Sequence, residues 1–125
     1  MRLLLDTHVF LWSVSGSRKL HARARRTLQS ASAVFVSAAS IWEIAIKSRL
    51  GKLEADPGAL VEAIEASGFL ELPVTAQHAR EVAGLPALHE DPFDRLLVAQ
   101  AQSEQLLLLT ADERLGSYGS AVRVL

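Results

Sequence analysis

Short continuous apolar runs alternate along the chain with longer stretches whose apolar residues recur at helical spacing. The runs Arg2–Leu5, Ala33–Val36 and Leu106–Leu109, with "FLELP" and the closing "AVRVL", predict strands. Between them, "THVFLWSV" predicts a short, mostly buried helix with Thr7 near its start and Gly16 as its breaker. "RKLHARARRTLQSA" predicts an exposed helix with Leu20, Ala24 and Leu28 on one face. "SAASIWEIAIKSRLG" predicts a helix closed by Gly51 as its C-cap. Asp56 and Pro57 suit the N-cap and first position of the next helix, which stops at Gly68. Thr75 caps "AQHAREVAG", Asp91 and Pro92 start a helix that runs to about Glu104, and "ADERLG" predicts a helical turn.

Strands alternating with helices from end to end predict an α/β domain with a largely parallel sheet between helices. In such sheets the ligand crevice lies beyond the carboxyl ends of the strands. Residues that directly follow a strand are therefore the first candidates for chemistry.

The 125 residues suffice for one domain, 1–125, with one core, and half of them are hydrophobic. A mean hydropathy of +0.21 argues for a sizeable interior. There is no cysteine, which excludes disulfides and thiolate metal sites and allows a reducing compartment. Asp6 and His8 interrupt the apolar N-terminus, which is too short to span a bilayer, and no small-residue cleavage pattern follows it. No membrane association is expected, and the expected location is cytoplasmic.

The net charge of −1 does not by itself suggest nucleic acid. Its distribution says more. Arg18, Lys19, Arg23, Arg25 and Arg26 crowd one short segment without an acid, and Lys47, Arg49 and Lys52 form a second group. Either group can be a solvated helix face or a phosphate-backbone footprint.

The five aspartates are placed unevenly. Asp6 follows the first strand immediately, and Asp112 comes shortly after the Leu106–Leu109 run, so both belong at the carboxyl edge of the sheet. Either can instead cap the helix it precedes. Asp91 suits an N-cap, and Asp94, three residues on, suits a capping box. Yet Asp94 heads the apolar line Leu97, Val98 and Ala101, so it points inward, where an unpaired charge is costly. Glu43 sits mid-helix in a nearly all-apolar window. It can form an exposed pair with Lys47, or it can belong to a site.

Carboxylates converging on one crevice repel unless positive charge compensates. Hard divalent cations such as Mg²⁺ or Mn²⁺ supply it and suit phosphoryl transfer. The four histidines show no HxxxH or HxH spacing, which disfavours zinc. No P-loop, GxGxxG or GxSxG pattern occurs.

Four segments, "LLLDTHVFLW", "VSAASIWEIAIKSRLGKL", "DPFDRLLVAQA" and "LLLLTADERL", together resemble a PIN-domain protein, and among these the VapC-type toxins of type II toxin–antitoxin pairs. The resemblance covers nearly the whole chain, in order. It implies a three-layer α/β fold with a central, mainly parallel sheet, and a Mg²⁺- or Mn²⁺-dependent endoribonuclease. It assigns the acidic centre to Asp6, Glu43, Asp94 and Asp112, supported by Thr7, Ser40 and Thr110. Asp91 is an acid beyond the usual set, a cap first and a helper second. Asp6, Asp94 and Glu43 would bind the principal metal, directly or through water, and Asp112 would hold a second metal or orient the attacking water. The basic segment, with Lys47 and Arg49, would guide the RNA backbone. A homodimer and a VapB-type antitoxin, whose C-terminal part covers the active site, are the implied partners. His8 falls near the site with packing and catalytic readings both open, and Phe10, Trp12, Trp42 and Phe93 are expected in the core.

Two rivals stand beside this reading. A phosphatase or phospho-receiver would want a second acid near Asp6, where Thr7 and His8 stand, or a late lysine, and none follows Lys52. A non-catalytic binding protein would keep the fold and its caps without the chemistry.

Overall fold

The computed structural model describes residues 1–125. Five strands, β1 (Arg2–Leu5), β2 (Ala33–Ser37), β3 (Leu70–Leu72), β4 (Leu107–Thr110) and β5 (Val122–Val124), form one sheet in the order β3-β2-β1-β4-β5. Every pairing is parallel. Six α-helices accompany it: α1 (Thr7–Ser15), α2 (Ala22–Ser30), α3 (Ala38–Arg49), α4 (Pro57–Ala66), α5 (Ala76–Glu81) and α6 (Pro92–Glu104). Single 3₁₀ segments follow at Val82–Gly84 and Glu113–Tyr118.

Successive strand residues point to opposite faces of the sheet. Leu3, Leu5, Val34, Val36 and Leu109 meet Val9 and Phe10 of α1, Ala24 of α2, Ile44 of α3 and Ile64 of α4 on one face. Leu4 and Leu108 meet Leu97, Val98 and Ala101 of α6, with Leu115 and Tyr118, on the other. The sheet thus divides the expected single core into two layers. Burial on both faces is why the central strands β1 and β4 read as unbroken apolar runs rather than alternating ones.

This layering also fixes the position of the crevice. Helices α1 to α4 carry the chain from β1 to β2 and β3 across one face, and α6 returns it to β4 across the other. Strand order therefore reverses between β1 and β4. The two connections leave the central strands in opposite directions, and a gap opens at their carboxyl ends.

Several boundaries differ from the sequence expectation. Helix α2 begins at Ala22 rather than Arg18, with His21 as its N-cap. The Ser17 hydroxyl accepts from Lys19 N–H at 3.2 Å, a local turn that competes with helix. The Arg25 guanidinium then donates to the carbonyls of Ser17 at 2.6 Å and Leu20 at 3.1 Å, which holds that turn against the helix. Leu20 is buried all the same. Leu50 occupies the C-cap of α3, and Gly51 follows it with φ of +72°, where a Cβ would be strained. Strand β4 is displaced by one residue and ends at Thr110.

Phe10 is fully buried and Trp12 packs against the same core. Trp42 is a correction: it is 61% exposed, on an outer line of α3 with Ile46 and Leu50, because Ala39, Ser40, Glu43 and Ile44 take the inner face. Phe93 is half-buried and packs edge-on against Trp42, with ring centroids 5.3 Å apart. No helix is long and apolar enough to cross a membrane.

Candidate active site

The gap between β1 and β4 holds a cleft of about 490 Å³. The end of β1 delivers Asp6 to it, and the segment after β4 delivers Asp112. Glu43 comes from the middle of α3 and Asp94 from the first turn of α6. Four acids from four separate chain segments therefore share one cavity, with Asp91, Thr7 and Lys47 also in its wall.

Asp6 both caps a helix and faces the cleft. Its Oδ1 accepts from Val9 N–H at 2.8 Å, which caps α1, and its Oδ2 accepts from the Thr110 hydroxyl. The Thr110 oxygen in turn accepts from Asp112 N–H at 3.0 Å. One threonine thus ties together the ends of both central strands. Burial pushes the Asp6 carboxyl up, against the opposing pull of the Thr110 and Val9 bonds.

Glu43 forms the expected pair with Lys47, Nζ to Oε2 at 2.6 Å, but the pair is not a surface one. The glutamate side chain is 4% exposed and the lysine 36%. Oε1 accepts from the Thr7 hydroxyl at 2.7 Å. A threonine hydroxyl has one proton, so Ser40, whose oxygen lies 3.0 Å away, donates to Thr7. Ser40, Thr7 and Glu43 form a buried relay that joins α1 to α3. The Glu43 bond in turn pushes the Lys47 ammonium pKa up.

Asp91 caps α6: its Oδ1 accepts from the N–H groups of Phe93 at 2.8 Å and Asp94 at 3.1 Å. Asp94 is the exception among the acids. Its carboxylate accepts no hydrogen bond within the protein, and His89 Nε2 lies 3.7 Å from it. Burial, followed by the charges of Asp91, Asp6 and Glu43, pushes its pKa up from 3.8 to about 7. Asp112 shows the opposite shift. Hydrogen bonds from Arg114 foremost, and also from His89, hold its carboxyl well below the usual range.

His89 and Arg114 are cleft residues that the sequence pattern did not single out. Arg114 spans both oxygens of Asp112, with Nε 3.1 Å from Oδ1 and Nη2 3.0 Å from Oδ2. His89 Nε2 lies 3.0 Å from Asp112 Oδ2. A search for local histidine pairs cannot find a ring whose partners are 5 and 23 residues away. The one available signal was position: His89 stands in the loop that delivers the cap of α6. His8 also lines the cleft and packs on Trp12 at 6.0 Å.

Of the expected basic residues, only Lys47 lines the cleft. Arg18, Lys19, Arg23 and Arg26 are exposed outside it, Arg49 is exposed beyond Lys47 on α3, and Arg25 is committed to the Ser17 and Leu20 carbonyls.

The donor set is suited to a hard divalent cation. Oxygen ligands dominate, Asp6 retains lone pairs on both oxygens after its two bonds, and Asp94 has all of its own free. Ligand atoms of His89, Asp94 and Asp112 lie within 4.8 Å of one another. The upward shift at Asp94 comes first from burial and then from the neighbouring charges of Asp91, Asp6 and Glu43.

A family model described as PIN domain matches residues 3–120. No curated protein matches the sequence. Among solved structures, a toxin–antitoxin complex from Klebsiella pneumoniae is similar at 18% identity and a TM-score of 0.70, over 98% of this chain and 96% of that one. VapBC2 from Rickettsia felis, bound to a DNA fragment from its promoter, is similar at 14% identity and a TM-score of 0.73, over 100% and 98%. VapC20 from Mycobacterium tuberculosis, a toxin that cleaves the sarcin–ricin loop, is similar at 20% identity and a TM-score of 0.62, over 97% and 98%. At these identities the likeness establishes the fold.

Proposed function

This chain belongs to the PIN domain family, and from that premise we propose that it is a metal-dependent endoribonuclease, the toxin of a toxin–antitoxin pair. The observation that carries the reading is Asp94, a carboxylate without a hydrogen bond, facing Asp6, Glu43 and Asp91 across one cleft. A carboxylate so placed is relieved by a proton or by a cation, and the oxygen donors gathered around it suit a cation. The similar chains named above include a toxin that cleaves RNA and two toxin–antitoxin assemblies, which supports the same assignment.

Asp6 and Asp94 would hold Mg²⁺ or Mn²⁺, with Glu43 joining directly or through water and Asp112 holding a second ion or orienting the attacking water. Such an ion would supply charge neutralisation at the phosphate and activation of water. The protein supplies the geometry. Thr110 fixes the orientation of Asp6, and Thr7 with Ser40 does so for Glu43. Asp112, held ionised by Arg114, can accept a hydrogen bond from the attacking water. The water oxygen bonds to phosphorus and releases a proton to solvent, the phosphodiester P–O bond breaks, and the departing oxygen takes a proton from solvent. Lys47 and Arg114, at the cleft wall, can meet the phosphate. Arg49 and the exposed Arg18, Lys19, Arg23 and Arg26 would act on more distant backbone.

A cytoplasmic homodimer held inactive by an antitoxin completes the proposal. Trp42, Ile46 and Leu50 keep apolar surface on α3 of the kind that protein partners cover. The test is cleavage of a defined RNA panel by purified protein with Mn²⁺, Mg²⁺ or EDTA, beside Asp6→Asn and Asp94→Asn. Cleavage is expected with either metal in the wild type only. Activity that persists in EDTA or in Asp94→Asn overturns the reading.

A further inference from the structure

His89 bridges the loop before α6 and the acid beyond β4. Its side chain is 5% exposed, at the wall of the cleft. Its Nδ1 accepts from Asp91 N–H at 3.1 Å. A neutral imidazole has one N–H, so with Nδ1 as acceptor the proton sits on Nε2. That nitrogen lies 3.0 Å from Asp112 Oδ2 and therefore donates to it. In this tautomer Nε2 offers no lone pair to a metal. The ring belongs to the compact group of His89, Asp94 and Asp112 as a donor rather than as a ligand.

The ring is anchored at both ends. Asp91, to whose N–H it bonds, is the residue whose carboxylate caps α6 and fixes the N–H groups of Phe93 and Asp94. Asp112, at its other end, lies beyond β4. The chain that leads into His89 is itself held from α6. The Arg95 guanidinium donates to the carbonyls of Pro86 at 2.9 Å, Val82 at 3.2 Å and Leu85 at 3.4 Å, and to the Tyr118 hydroxyl at 3.0 Å. Position 89 is therefore fixed before the ring reaches across.

We propose that His89 is a positioning residue, a rigid Nε2–H spacer that sets the separation of the Asp112 and Asp94 carboxylates and so shapes the site for a divalent cation. The proposal rests on the metal-site reading above. Outer partners that orient metal-binding carboxylates are worth about 10- to 100-fold in affinity. Glutamine can place an N–H near the Nε2 position, whereas asparagine keeps an acceptor for Asp91 N–H and loses the reach to Asp112.

The test compares wild type, His89→Gln and His89→Asn. Calorimetric Mn²⁺ titration measures affinity, the pulsed electron resonance of bound Mn²⁺ detects nitrogen ligation, and nitrogen-15 spectra of the metal-free protein report the ring tautomer. The expected results are an Nε2–H ring, no nitrogen coupling to Mn²⁺, affinity about 10- to 100-fold weaker in His89→Asn, and affinity near wild type in His89→Gln. Thermal melts separate this from a structural role, which would lower the melting temperature of His89→Asn and leave its Mn²⁺ affinity unchanged. An Nδ1–H ring, a nitrogen coupling, or equal affinity of wild type and His89→Asn overturns the proposal alone. A wild type that binds no Mn²⁺ overturns the metal-site reading and the proposal with it.

Discussion

The Thr7 hydroxyl donates to Glu43 Oε1 across 2.7 Å, inside the protein, and so ties the first turn of α1 to the middle of α3. Thr7→Val keeps the shape and removes the donor, leaving a buried carboxylate oxygen without its partner. The expected loss of stability is about 1–3 kcal/mol, read as a lower urea midpoint of the metal-free protein at pH 7. Thr7→Ser keeps the donor and should lie near wild type. Equal midpoints for Thr7→Val and wild type would show that the relay contributes nothing.

Asp94 makes the metal-free protein sensitive to pH. Its pKa rises from 3.8 in the ordinary state to about 7 in the folded one. Between those values the folded protein holds a proton that the unfolded chain has released, so stability falls as pH rises through the window. Asp6 is shifted in the same direction and adds to the trend. Asp112 is shifted downward, so its stabilising contribution is lost only on acidification below its ordinary value of 3.8. Asp94→Asn removes the largest part of the dependence. The metal-free variant is expected to melt above wild type at pH 8, with the gap closing toward pH 4. A wild type that melts higher at pH 8 contradicts the assignment of Asp94 as an uncompensated charge.

The sequence revealed the fold because the central strands β1 and β4 are buried on both faces and each helix carries its own cap. Asp6, Asp56, Thr75 and Asp91 could be read singly, and all four cap the helices they precede. Three of the acids expected at the cleft were legible from chain position: Asp6 and Asp112 follow strands, and Asp94 heads an inward line. Glu43 was legible from its apolar surroundings. Strand order was not, since nothing local states that α6 returns across the other face. Without that reversal, the gap between β1 and β4 has no address. Arg25 illustrates the opposite failure. Its charge suggested a solvated or phosphate-binding role, whereas its geometry uses the guanidinium to close a turn. His89 escaped because its partner Asp112 meets it only in the assembled cleft, and Arg114 escaped although its partner stands two residues away in the chain.

Lys47 competes with any cation for Glu43, because its Nζ lies 2.6 Å from Oε2. Lys47→Met removes that competitor and also the donor. The metal-free protein is expected to lose about 1–3 kcal/mol, discounted toward the lower end because the lysine is 36% exposed. Mn²⁺ affinity is expected to rise a few-fold, measured by titration calorimetry at pH 7.5. Unchanged affinity would place Glu43 outside the reach of the bound ion and leave Asp6, Asp94 and Asp112 as its carboxylate set.

The basic segment separates into two kinds of residue that one experiment can distinguish. Arg18, Lys19, Arg23 and Arg26 are exposed, and none bonds to an acid. Neutralising these four to glutamine should leave the melting temperature near wild type. If they neutralise RNA phosphates, the slope of log affinity against log salt falls by about 0.7 for each single-strand phosphate that the variant no longer engages. Binding is measured with the cleavage-inactive Asp94→Asn background, so that the RNA stays intact. Arg25→Ala should behave in the reverse way. It loses two bonds to backbone carbonyls, which costs about 1–3 kcal/mol, while the salt slope stays close to that of the parent. A quadruple variant with an unchanged slope would confine RNA binding to the cleft wall, where Lys47 and Arg114 stand.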